Sequence, residues 1–179
     1  IPFLRLGSEY SCDERFRPYL IEKAIVQCPK LEAIKQYIIG TRVIVGTTSM
    51  MTSKPFIFNL KHFKLAIIDE SSQILEPNLI GLLSAIDKFI LIGDYKQLPA
   101  VVQQSEQDSA IPTINDSQQN GLMDMSILQD ICLTNCRNSL FERLIRWEDH
   151  EHRSDFIGIL RRQGRMHPEI AEFPNKMFY

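Results

Sequence analysis

Lys64-Leu65-Ala66-Ile67-Ile68-Asp69-Glu70-Ser71-Ser72-Gln73 is a short apolar run that stops at two adjacent carboxylates. Its four apolar residues, half of them β-branched, read as a strand buried on both faces, which is how parallel strands of α/β sheets look. Ligands of such sheets bind beyond the carboxyl ends of the strands. Asp69 and Glu70 stand at that end, so one carboxylate can hold Mg²⁺ while its neighbour, pointing the other way, polarises an attacking water. Taken alone, the pair reads equally well as two solvated acids in a loop.

A second run, Phe89-Ile-Leu-Ile-Gly93-Asp94-Tyr-Lys-Gln97-Leu-Pro99, repeats the pattern about one βαβ unit further on. Between the two, Pro77 opens a helix whose Leu79, Ile80, Leu82, Leu83 and Ile86 form an apolar face. The connection is therefore a crossover, right-handed by default. Asp69-Glu70-Ser71-Ser72-Gln73 followed by Gly93-Asp94-x-x-Gln97-Leu98-Pro99 resembles motifs II and III of the superfamily 1 helicases. The specific resemblance is to the branch that includes the nonsense-mediated-decay RNA helicase and related DNA helicases.

The chain has 179 residues, 44% hydrophobic and 23% charged, enough for one domain with a real core. A formal net charge of −2 gives no electrostatic footprint of nucleic-acid binding. A motor that grips strands through backbone and stacking contacts does not need one. No run of eighteen apolar residues and no signal-peptide pattern occurs, so the expectation is a soluble, cytoplasmic protein with no membrane partner. The chain begins at Ile1 without a Met and reads as an excised piece. Its four cysteines, Cys12, Cys28, Cys132 and Cys136, form no Cys-x-x-Cys pair and read as reduced thiols. Cys132-x-x-x-Cys136 with His150-x-His152 is looser than zinc sites usually are.

In chain order, Phe3–Leu6 is strand-like, and helical spacing through Val26 predicts a first helix. Pro29, the apolar Leu31, Ile34 and Ile38, and Gly40 punctuate a second. Arg42-Val-Ile-Val-Gly46 predicts another buried strand, leading into the hydroxyls of Thr47, Thr48 and Ser49. Such a turn can bond phosphates, and by itself it also reads as a simple Ser/Thr turn. Residues 103–120 are polar and aperiodic and predict a flexible insertion. Order is expected to return at Leu122, and Ser139 with Glu142 forms a capping-box signature. Trp147–Arg153 reads as a charged turn and Asp155–Leu160 as a last strand.

The resemblance implies an α/β, RecA-like domain of the P-loop NTPase type, with a largely parallel sheet flanked by helices. Residues 1–160 would belong to the first motor domain, and residues 161–179, holding motif IV, would lead toward the second. ATP hydrolysis rests on positioning and charge neutralisation: a phosphate cradle, Mg²⁺, a water-orienting base, a γ-phosphate sensor and a cation. By resemblance, Asp69 would hold Mg²⁺, Glu70 would activate water, Gln97 would report the γ-phosphate and Arg165 would be the arginine finger. Gln73, Gly93, Asp94 and Gln163 would border the nucleotide, while Thr47, Thr48, Ser49 and Pro99 would face the nucleic-acid strand. The cradle is missing: none of the eight glycines is followed by Lys, so the domain is incomplete without its phosphate-binding loop.

One departure stands inside the site. Between Gln163 and Arg165 the family carries a Tyr that stacks on adenine, and this sequence has Gly164. Base preference is thereby put in doubt, unless an aromatic from elsewhere, such as Tyr179, supplies the stacking. The implied function is an ATP-dependent helicase moving 5′ to 3′ on single-stranded DNA, with RNA as the other track. Its partners would be the phosphate-binding loop and second motor domain of the same polypeptide. The rivals are an ATPase of the same lineage that remodels or clamps nucleic acid without unwinding, and a binding module that has lost hydrolysis.

Overall fold

The computed structural model describes residues 2–26, 28, 30–111 and 126–179. Contacts divide the chain into two compact units, Ile1–Ile68 with Glu76–Leu91, and Asp69–Leu75 with Ile92–Tyr179.

In the first unit, β1 (Phe3–Arg5) pairs in parallel with β2 (Val43–Val45), and β3 (Ala66–Ile68) in parallel with β4 (Phe89–Leu91). The helices of this unit are α1 (Ile21–Val26), α2 (Leu31–Gly40), α3 (Thr48–Thr52), α4 (Phe56–Leu60) and α5 (Pro77–Leu83). Parallel neighbours require a crossover, and α5, opened by Pro77 at its first turn, provides it between β3 and β4. A core forms from Leu4, Leu6, Ile21, Ala24, Ile38 and Ile57, with Ile34, Ile44 and Phe63 against it.

Several expectations need correction. The Leu65–Ile68 run is not buried on both faces: Ile68 is 7% exposed but Ile67 is 63% exposed. Each parallel pair is a two-stranded sheet among the described residues, so alternate side chains point away from the core. The helix expected before Val26 is broken into 3₁₀ turns at Glu9–Ser11 and Glu14–Tyr19 before the short α1. Pro18 lies inside the second of these turns and cannot donate to a helical ladder. The hydroxyl cluster after β2 opens α3, with Thr47 Oγ1 accepting the N–H of Met50 at 3.3 Å. The second helix is found as α2; Pro29 lies outside the described residues.

In the second unit, α6 (Glu106–Ser109) lies within the stretch expected to be a flexible insertion, capped by Ser105; residues 112–120 of that stretch lie outside the described residues. Residues 122–125 do too, and α7 (Ser126–Asp130) follows them. The α8 helix (Leu140–His150) starts at Ser139, whose hydroxyl accepts the Glu142 N–H at 3.2 Å. The Glu142 carboxylate pairs with Arg146 one turn on, at 2.5 Å. Because α8 runs to His150, most of the expected charged turn at Trp147–Arg153 is helical. No strand forms at Asp155–Leu160: the backbone turns there, with Ile157 N–H on the Ser154 carbonyl, and Leu160 is 93% exposed. An apolar run without a paired neighbour has no ladder to join. The last helix, α9 (Pro168–Phe178), is capped by His167. Among the described residues no helix is long and apolar enough to cross a membrane.

Candidate functional site

Beyond the end of β3 the chain makes a tight turn. Glu70 takes φ 51°, ψ 33°, the left-handed region, and Ser71–Gln73 follow as one 3₁₀ turn. Side chains hold this shape: Asp69 Oδ1 accepts the Glu70 N–H at 3.0 Å, and Gln73 Nε2 donates to Glu70 Oε2 at 3.2 Å. Asp69, Glu70 and Gln73 are exposed. Among the described residues Asp69 Oδ2 has no hydrogen-bond partner, leaving that oxygen open to a cation or water.

Two serines fasten this turn to the next one. Ser71, wholly buried, donates to the Ile92 carbonyl through both its backbone N–H and its hydroxyl, each at 2.8 Å. The Ser72 hydroxyl accepts the Asp94 N–H at 3.2 Å. Gly93 is where the segments touch: a Cβ there would stand 2.9 Å from the Ser72 backbone nitrogen, closer than real Cβ contacts come. From the other side, α8 packs on the Ser71–Gln73 turn, and Leu75 bridges to Ser139.

Asp94 is the hub of the second turn. Its Oδ1 accepts the Lys96 N–H at 3.0 Å, its Oδ2 accepts Gln97 Nε2 at 2.8 Å, and the Tyr179 hydroxyl donates to the same Oδ2. Partial burial works against its charge, yet the bonds from Tyr179, Gln97 and Lys96 outweigh that, so its pKa is lowered. The same bond to Asp94 raises the Tyr179 phenol above its ordinary value, and desolvation adds to it.

Gln163 and Arg165 form a separate group. Gln163 Oε1 accepts the N–H of Arg165 at 2.9 Å and of Met166 at 2.7 Å, while its Nε2 donates to the Met166 carbonyl at 2.9 Å. Its amide is thus a brace for the Gly164–Met166 turn. Among the described residues the Arg165 guanidinium, which is exposed, has no hydrogen-bond or ion-pair partner. Gly164 shows no positive φ, and a Cβ there would meet nothing within 4 Å. Thr47, Thr48 and Ser49 lie at the start of α3, and Pro99 is exposed just past the Asp94 turn.

The sequence offers Asp69, Glu70, Gln73, Asp94 and Gln97 as candidates, and the structure places these five in two joined turns. Sequence reasoning assigned no work to Ser71 and Ser72, although two small hydroxyls directly after paired acids are a fair signal for backbone tethers. It read Tyr179 as a base-stacking candidate, whereas the hydroxyl is bonded to Asp94 and the ring lies 5.3 Å from Lys96 Nζ.

A family model described as an AAA domain matches residues 23–105, which includes both turns. The chain is 28% identical over 184 residues to the DNA replication ATP-dependent helicase/nuclease DNA2 of Xenopus laevis, covering 100% of this chain and 14% of that protein. It is 32% identical over 179 residues to the DNA replication ATP-dependent helicase/nuclease JHS1 of Arabidopsis thaliana, across 100% of this chain and 11% of that one. With the uncharacterized ATP-dependent helicase MJ0104 of Methanocaldococcus jannaschii it shares 34% identity over 137 residues, 76% of this chain and 16% of that protein. The chain belongs with the superfamily 1 helicases. Its α/β architecture of parallel pairs is the RecA-like, P-loop type of fold, incomplete in these residues. The chain spans about one seventh of the DNA2 relatives.

Proposed function

We propose that this chain is part of the ATP-hydrolysing motor of a helicase that moves 5′ to 3′ on single-stranded DNA. The observation that carries the reading is the fastening of the Asp69–Gln73 turn to the Gly93–Gln97 turn through Ser71 and Ser72, which brings two acidic strand ends and a glutamine into one frame. The DNA track is supported by the names of the DNA2 and JHS1 relatives.

Mg²⁺ fits the residues present. It is usually held by one or two carboxylates together with nucleotide phosphates and water, and Asp69 offers an exposed carboxylate with an open oxygen. Held by Asp69, the ion would supply neutralisation of charge on the phosphates. Glu70, kept in place by Gln73, orients the attacking water and takes its proton. Gln97 reaches the γ-phosphate with its amide, and Arg165, exposed and without a hydrogen-bond or ion-pair partner among the described residues, stabilises the charge that develops as the phosphoryl group transfers. Gln163 acts by bracing the turn that presents Arg165. In the first unit Thr48 and Ser49 face the nucleic-acid strand, with Thr47 capping α3, and in the second unit Pro99 does so. Residues 161–179 lead to a second motor domain, and a phosphate-binding loop elsewhere in the polypeptide completes the site. The four cysteines are free thiols, which suits a reducing compartment such as the cytoplasm.

The test uses the full-length parent: ATP hydrolysis with and without single-stranded DNA or RNA, and unwinding of duplexes with a 5′ or 3′ overhang. DNA should stimulate hydrolysis and the 5′ overhang should support unwinding. Arg165→Ala should lower the stimulated rate by about 10³–10⁵. Stimulated hydrolysis without unwinding on any substrate would favour a remodelling ATPase instead, and no hydrolysis at all would favour the binding module.

A further inference from the structure

We propose that Tyr179 is a positioning residue for the nucleotide-sensing turn: by holding the Asp94 carboxylate, its hydroxyl sets the side-chain amide of Gln97. This rests on the assignment of Gln97 to the γ-phosphate.

Tyr179 and Gln97 converge on one oxygen, Asp94 Oδ2. The other oxygen is committed to the Lys96 N–H, so the carboxylate cannot rotate without breaking a backbone bond. The end of α9 meets the turn again through Lys96, whose Nζ donates to the Phe178 carbonyl at 2.7 Å and lies over the Tyr179 ring. The raised phenol pKa keeps Tyr179 a donor at neutral pH, and the lowered carboxyl pKa keeps Asp94 an ionised acceptor.

With one N–H of the Gln97 amide on Asp94 and the amide also set against the Tyr179 hydroxyl, the orientation in which it meets the γ-phosphate is fixed by this pair. Without the tyrosine hydroxyl, Oδ2 loses a donor and takes water in its place, and the amide loses the fixed partner that shares this oxygen with it. An interaction needed for alignment in the transition state shows in kcat more than in KM. The tie has a second consequence. Arg165 stands just before α9 and Tyr179 just after it, so the proposed finger and the anchor of the sensor flank a single helix. A displacement of α9 on nucleotide binding would reach both.

The experiment compares the wild-type parent with Tyr179→Phe, Asp94→Asn and the double variant, measuring kcat and KM for DNA-stimulated ATP hydrolysis and the melting temperature. Tyr179→Phe should lower kcat about tenfold, the factor that losing about 1.4 kcal/mol of a charge-assisted bond gives, while leaving the melting temperature unchanged and KM nearly so. The double variant should be no slower than the slower single one, because both changes break the same chain of bonds. Wild-type kcat in Tyr179→Phe overturns the proposal, whether or not the melting temperature falls. So does a slowing that multiplies with that of Asp94→Asn, or a loss confined to KM. A parent that hydrolyses ATP while Tyr179→Phe is unaffected removes this inference and leaves the motor reading standing; a parent with no stimulated hydrolysis removes both.

Discussion

Glu70 is bent into the left-handed region, at φ 51°, where a residue with a Cβ is strained by about 1–2 kcal/mol. Such strain persists where the surroundings over-determine it, and it clusters at active sites. Here the over-determination is visible, since Glu70 N–H is held by Asp69, its carboxylate by Gln73, and the next residue by the Ile92 carbonyl. Glu70→Gln should therefore abolish hydrolysis with no change of fold. Glu70→Gly should abolish it too, but with stability unchanged or raised by up to about 1 kcal/mol, because relief of strain competes with the greater freedom of glycine in the unfolded chain. Urea unfolding of both variants alongside wild type checks this, and a large loss in Glu70→Gly would contradict the strain. Gly164 presents the opposite case, an ordinary backbone with open space where a side chain could stand. With no ring on the base, kcat/KM for GTP or CTP should approach that for ATP in the parent. Gly164→Tyr should sharpen the preference for ATP, base–aromatic stacking being worth about 1–3 kcal/mol. A marked wild-type preference for ATP that Gly164→Tyr leaves unchanged would show that the missing ring does not matter to base recognition.

At the scale of elements, the joint between the two turns depends on the absence of a side chain at Gly93. Gly93→Ala puts a Cβ 2.9 Å from a backbone nitrogen, a clash that no rotamer change relieves, and overpacking of this kind costs about 1–3 kcal/mol. The melting temperature should fall, and hydrolysis should fall further than stability alone explains, since Asp94 would be pushed off Ser72. Ser72→Ala with Gly93→Ala should recover little, because the nearest atom belongs to the backbone. This joint was half legible in the sequence. Two apolar runs, each followed by an acidic turn, announced a βαβ unit, and α5 with its Pro77 start was equally plain. The tethers were not legible, because which carbonyl Ser71 meets depends on strand register and not on local pattern. The run at Asp155–Leu160 misled for a related reason: alternation of apolar residues encodes compatibility with a strand, whereas a strand exists only where another backbone offers a ladder. Pro18 was in plain view, yet the helical spacing around it hid its effect, and the 3₁₀ turn at Glu14–Tyr19 is the result.

For the molecule as a whole, charge and chemistry set the limits of what these 179 residues can do. With 20 basic against 22 acidic side chains, no large positive field is available to hold polyphosphate or a nucleic-acid backbone at a distance, so binding must come from placed donors. The two joined turns supply an acceptor set, Asp69, Glu70 and Asp94, with the amide of Gln97, and in the proposed motor Arg165 and a phosphate-binding loop would bring cations to counter a triphosphate. No Gly-x-x-x-x-Gly-Lys-Ser/Thr occurs in the sequence. Preorganised electrostatic stabilisation is usually the largest single contribution to such catalysis, and much of it for phosphoryl transfer lies in the missing cradle and its lysine. The isolated chain should therefore show no measurable turnover of ATP with Mg²⁺, with or without single-stranded DNA, under conditions where the parent turns over freely. The measurement is phosphate release at matched concentrations of chain and parent, with the Glu70→Gln form of each as background. Robust turnover by the isolated chain that disappears in its Glu70→Gln form would mean that the two turns catalyse hydrolysis without a cradle, and would overturn the division of labour proposed for this motor.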